Sequence, residues 1–180
     1  MGASRMLIAG MQARVHALRE LFAVIERTRM VGVPVLHPGL WVQAVGFEPL
    51  AELGDGPPID ALGILIVPWF MNLVRLPLER VDSSSQVGRA EPLVLGGRRF
   101  MFIGTHEPDL GAYSACSLFT PMFEFVDQAA ALATALAVLD ELRRRPMAGP
   151  SRQACAEAGP ATSQRRTFMF GRSATGAPGR

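Results

Sequence analysis

Cys116 is the first residue to weigh for chemistry, with His106 and Asp109 within ten residues of it. A thiol, an imidazole and a carboxylate could make a nucleophile, a base and an orienting group, provided they sit in hydrogen-bond reach. No strand-turn-helix elbow surrounds Cys116, and nothing nearby would acidify the thiol, so it also reads as a small buried hydrophobe. The three histidines, His16, His37 and His106, are scattered. Cys116 and Cys155 form no Cys-x-x-Cys pair, which leaves little to hold a metal and no disulfide framework. Gly54-x-Gly56 leads into Pro57-Pro58, not into a helix that could cradle a phosphate. Neither a cofactor nor a metal is expected.

A second kind of chemistry is recognition. Trp69-Phe70-Met71-Asn72 places three large adaptable apolar groups and one amide directly after a strand. Glu124 and Asp127 add carboxylates, and Tyr113 and Cys116 lie on a nearby strand candidate. Together these eight residues are the candidate partner-binding set. Each also has a plain structural role open to it. The aromatics and Tyr113 can be core or strand residues, Asn72 can satisfy a turn, and the carboxylates can serve a helix N-terminus.

The elements that must position them follow from periodicity. Val15, Leu18, Phe22 and Ile25 recur at helical spacing, predicting an amphipathic helix over 12–30 behind a frayed 1–11. Residues 41–47 alternate as a strand. Residues 62–67 are apolar on both faces, predicting a central strand covered on two sides. Val74, Leu76 and Leu78 alternate with polar residues or proline, which predicts a half-exposed strand near an edge because of Pro77. Gly96-Gly97 between two alternating runs signals a hairpin. Residues 112–119 suggest a further strand. Thr120-Pro121 reads as a helix start, with the helix running to about Arg145 and with Glu124 and Asp127 one turn apart near its beginning. The expected fold is α+β, two layers deep. It has a mostly antiparallel sheet of five or six strands, flanked by an N-terminal and a C-terminal helix.

Composition bounds the partners. Residues 1–145 carry 13 arginines against 15 acids, and residues 146–180 carry 5 arginines against one acid. An acidic body argues against nucleic acid, which wants a basic stripe. No apolar run approaches the roughly 20 residues needed to span a bilayer. Met6-Leu7-Ile8-Ala9 is too short for a signal-peptide core. The expected compartment is the cytoplasm. The expected division is a disordered 1–11, a domain over 12–146, and a disordered basic tail over 147–180.

Three segments carry a resemblance: VGFEPL, GILIVPWFMNLV and YSACSLFTPMFEFVDQA. Together they resemble the HybE/HupJ family of [NiFe]-hydrogenase assembly chaperones over most of residues 12–145. The resemblance implies a non-catalytic protein that binds the hydrogenase small-subunit precursor. That precursor carries a twin-arginine signal, and it would be held until its metal centres are in place. The large subunit and other maturation proteins are further partners the resemblance implies. Some relatives carry a rubredoxin module, and this chain lacks the paired cysteines for one. A cysteine-dependent enzyme and a metal- or cluster-handling accessory protein are the alternatives.

A receptor for paired guanidinium groups followed by an apolar stretch needs carboxylates beside an adaptable apolar surface. The tail holds a copy of that pattern in Arg165-Arg166-Thr167-Phe168-Met169. No apolar run follows it, so it would not serve as an export signal. The expectation is that Arg165, Arg166 and Phe168 mimic the client and compete for the body's own surface.

Overall fold

The computed structural model describes residues 2–50 and 58–144, with backbone alone for 2–4. The Gly54-x-Gly56 segment, Cys155 and the Arg165-Arg166-x-Phe168 segment lie outside the described residues.

Among the described residues, two helices and six strands follow in the order α1 (Gly2–Thr28), β1 (Gln43–Pro49), β2 (Asp60–Val67), β3 (Phe70–Pro77), β4 (Ala90–Leu95), β5 (Arg98–Glu107), β6 (Gly111–Phe119) and α2 (Gln128–Arg143). The strands form one antiparallel sheet in the order β1-β2-β3-β6-β5-β4. Two three-stranded meanders therefore meet through β3 and β6 at the centre. The α+β class, the strand count and the two flanking helices match the sequence expectation.

The two apolar faces of β2 explain the layering. Ile64 and Ile66 join one core, with Met71, Leu73, Phe102, Ala131, Ala135 and Leu139. Leu65 and Val67 join another, with Leu18, Phe22, Ile25, Val74 and Tyr113. So α1 and α2 cover opposite faces, and the molecule is three layers deep rather than the two expected. Four consecutive residues, Ile64 to Val67, are completely buried. Each contributes about 1.5–3 kcal/mol relative to exposure. Gly63 belongs to the same run because a Cβ there would come within 2.4 Å of the Phe47 ring.

Several local expectations are corrected. The first helix reaches back to Gly2 through residues expected to fray; Ala, Met, Leu and Arg are good helix formers, and Met11 is buried. β3 is interior, not near an edge: it pairs with β2 on one side and β6 on the other. Pro77 is its last residue, so its missing N–H does not interrupt the ladder. Pro68-Trp69 is the two-residue turn of a tight hairpin in which Val67 pairs with Phe70. Gly96 and Gly97, at φ 55° and 77°, make the other predicted hairpin turn.

The largest correction concerns α2. No helix starts at Thr120-Pro121. The Thr120 hydroxyl donates to the Phe119 carbonyl and lies 3.3 Å from the Ser117 hydroxyl, instead of capping downstream N–H groups. Residues 121–127 make turns that drive Met122 and Phe125 into the core. Asp127 is the actual N-cap, accepting from the Ala130 N–H at 2.8 Å. Gln128 then anchors the first turn: its side-chain oxygen accepts from the Trp41 N–H, and its amide donates to the Gln43 side chain.

Candidate functional site

The turn at Pro68-Trp69 fixes where the site forms. It puts Phe70 and Asn72 on the α1 side of β3 and Met71 on the α2 side, because side chains alternate along a strand. Trp69 and Phe70 pack against Phe22 of α1. The Phe22–Phe70 centroids are 5.6 Å apart at 83°, and Trp69–Phe70 are 5.7 Å apart at 80°, both edge-to-face. Both residues remain partly exposed.

Beside them lies a groove of about 240 Å³. Phe22 and Ile25 of α1, with Arg29 just past its end, form one wall. Asn72 and Val74 of β3 with Tyr113 and Ala115 of β6 make the floor, and Thr105 and Glu107 of β5 close the far side. Arg29 reaches across to Glu107, with Nη1 3.2 Å from Oε2. The Arg29 side chain is 60% exposed and that of Glu107 18%. The pair is thus anchored on the carboxylate side and wet on the guanidinium side. At the groove's other end, where Asn72 is level with Ser117 of β6 while Glu107 is level with Gly111, the Asn72 amide oxygen is buried with no hydrogen-bond partner among the described residues. Such an acceptor costs about 1–3 kcal/mol if left unmatched. Burial, and secondarily the Glu107 charge, push the Tyr113 hydroxyl well above the usual tyrosine range. It stays a neutral donor at any physiological pH.

The groove therefore gathers Trp69, Phe70, Asn72 and Tyr113 from the predicted set. The other four lie elsewhere. Met71 is completely buried under α2 and offers no surface. Cys116 points to that same side and packs against the α2 core. Its pairing with Leu73 on β3 sets its face. Asp127 is consumed in capping α2. Glu124 is an exposed turn residue, not a helical neighbour of Asp127, and neither lines the groove. The Phe123 ring stacks near His37, 6.2 Å between centroids, and the His37 N–H donates to the Pro68 carbonyl. Glu124 thus sits at the same end of the sheet as Trp69, with the His37 segment between them.

Phe22, Arg29 and Glu107 were missed. Phe22 was visible as part of a helix stripe, but nothing local separates a groove wall from a core contact. The Arg29–Glu107 pair joins residues 78 positions apart, which no spacing rule reveals.

His106 pairs with Ala112, four residues along β6 from Cys116. That separation is about 13 Å along the strand, beyond hydrogen-bond reach. Among the described residues no three His, Cys, Asp or Glu side chains cluster as a metal site would need. No described helix is long and apolar enough to cross a membrane.

A second, larger cavity of about 710 Å³ opens where β2 begins and β3 ends. Asp60, Arg75, Glu79 and Glu91 line it, and Tyr113 lines both cavities. The Asp60 carboxylate is buried and held by Arg75 at 2.6 Å.

Fold and groove define an α+β protein with one sheet face left partly open beside an aromatic wall. A family model described as "[NiFe]-hydrogenase assembly, chaperone, HybE" matches residues 13–171. The chain belongs to this family of [NiFe]-hydrogenase assembly chaperones. It is 46% identical over 165 residues to Protein HoxT of Cupriavidus necator, covering 88% of this chain and 89% of HoxT. It is 35% identical over 149 residues to hydrogenase expression/formation protein HupJ of Bradyrhizobium diazoefficiens, covering 82% of this chain and 81% of HupJ. The solution structure of HybE from Escherichia coli aligns with a TM-score of 0.49 at 21% identity, over 90% of this chain and 91% of that one.

Proposed function

We propose that the chain is a non-catalytic chaperone that grips the hydrogenase small-subunit precursor by its twin-arginine signal in the α1-side groove, holding it in the cytoplasm until its metal centres are in place. The observation that carries this is a single groove with an exposed guanidinium held on a carboxylate at one end and a buried amide oxygen, unmatched among the described residues, beside aromatic surface at the other.

An arginine of the client would replace Arg29 on Glu107, one guanidinium for another, at little electrostatic cost. Because Arg29 is mostly exposed, the pair it gives up is worth little to the fold. A client N–H reaching Asn72 would recover the cost of its unmatched acceptor. The apolar stretch after the arginines would cover Trp69 and Phe70. None of these steps makes or breaks a covalent bond. The large subunit and other maturation proteins remain partners that the family suggests, and no feature of the groove selects for them.

The test is capture of the full chain from cells making the hydrogenase, with and without the small subunit's signal peptide. The precursor should co-purify with the chain and be lost when the signal is removed. Undiminished capture without the signal would overturn the proposal.

A further inference from the structure

The larger cavity has no part in that proposal, yet it holds more open carboxylates than the groove does. Glu79 and Glu91 both line it and are exposed, and neither has an ion-pair partner among the described residues. Asp60 and Arg75 neutralise each other there. Among the described residues that line it, Arg89 is then the one remaining cation against two open carboxylates. Met6 and Ile59 line the same cavity and are 77% and 62% exposed. Open carboxylates beside uncovered apolar side chains are complementary to a segment carrying two guanidinium groups followed by large apolar groups.

The chain itself contains one. We propose that this cleft seats residues 163–169 of the chain's own C-terminal segment, with Arg165 and Arg166 on Glu79 and Glu91 and with Phe168 and Met169 against Met6 and Ile59. Charge favours it, since residues 146–180 hold five arginines and a single acid. Chain length permits it: the roughly 20 residues from Arg144 to Ser163 span at most about 65 Å, more than the width of a domain this size. Exposed ion pairs are individually weak. Tethering compensates, because a short linker sets an effective concentration of millimolar order. The family match itself continues to residue 171, through this segment.

The seat rests on the cleft's chemistry alone. Its consequence rests on the proposed function: a client held in the groove would have this cleft's carboxylates as a second contact for its arginine pair, across the shared Tyr113, and a seated tail would deny it that contact.

The test uses the full chain with the photocrosslinker p-benzoylphenylalanine in place of Phe168. Irradiation should give intramolecular crosslinks to the cleft, at or beside Met6 and Ile59. Reversing charge with R165E and R166E should cut their yield at least five-fold, and these changes lie outside the described fold. E79Q with E91Q, at exposed positions, should do the same. Crosslinks to Trp69 or Phe70 instead, crosslinks only between chains, or a yield indifferent to charge reversal would each overturn the seat. Precursor affinity is then compared between the wild type and the R165E/R166E chain, with a three- to ten-fold gain expected. Cleft crosslinks with unchanged affinity would keep the seat and overturn the competition. Failure of both chains to bind precursor would count against the proposed function and leave the seat standing.

Discussion

Under α2, Ile64, Ile66, Met71 and Leu73 are completely buried, and the helix is fastened by side-chain hydrogen bonds at both ends. Arg143 donates to the Gly46 carbonyl at its C-terminal end. Under α1 the packing is as apolar, but it stops at Phe22 and Ile25, and a groove opens between the helix and β5. Polar groups on the α2 side largely close the structure: Asp127 caps and Gln128 bridges. On the α1 side they are left open: Asn72 has an oxygen unmatched among the described residues, and Glu107 is held by an exposed arginine. The difference teaches that burial alone does not mark the site here. What marks it is polar chemistry that the fold leaves unfinished.

Substitutions should break the two faces in different ways. Met71→Ala creates a cavity in the closed face and should cost about 2–5 kcal/mol, read by denaturant unfolding. Precursor affinity of the molecules that stay folded should not change. Asn72→Leu removes the unmatched acceptor at similar volume, and stability should hold or rise by about 1–3 kcal/mol while precursor binding weakens. A loss of stability there would show that the amide is structurally required. Asp127→Ala should cost about 1 kcal/mol through the lost cap, with binding untouched.

The smallest effect concerns pH. The Tyr113 hydroxyl is held neutral above tyrosine's ordinary value of 10.0. The unfolded chain would ionise at that ordinary value while the folded chain does not. Stability present below pH 10 is therefore lost as pH rises above it. The chain has a single tyrosine and no lysine, so little else titrates in that window. Tyr113→Phe should flatten the alkaline fall measured by thermal unfolding.

Much of the fold was legible because alternation reports burial. The two-faced apolar run of β2, the Gly96-Gly97 hairpin and the stripe of α1 all formed as read. What failed depended on competition between local signals. Thr120-Pro121 looks like a helix start, yet the hydroxyl turns backward and Asp127 takes the capping role seven residues later. Pro77 looks like an edge marker, yet it merely ends an interior strand. The site was half legible. Trp69, Phe70, Asn72 and Tyr113 share a face, whereas Met71 was assigned by adjacency, and one residue of strand moves a side chain to the opposite face. Arg29 and Glu107 meet through tertiary packing alone.

The most direct measurement compares two single carboxylate changes in the full chain, Glu107→Gln in the groove and Glu124→Gln on the exposed turn, each titrated with small-subunit precursor. Glu107→Gln should weaken binding about ten-fold, the size of one charge-assisted pair, with stability within about 0.5 kcal/mol of the wild type. Glu124→Gln should leave affinity unchanged. Weakened binding by Glu124→Gln with full binding by Glu107→Gln would contradict the groove as the grip.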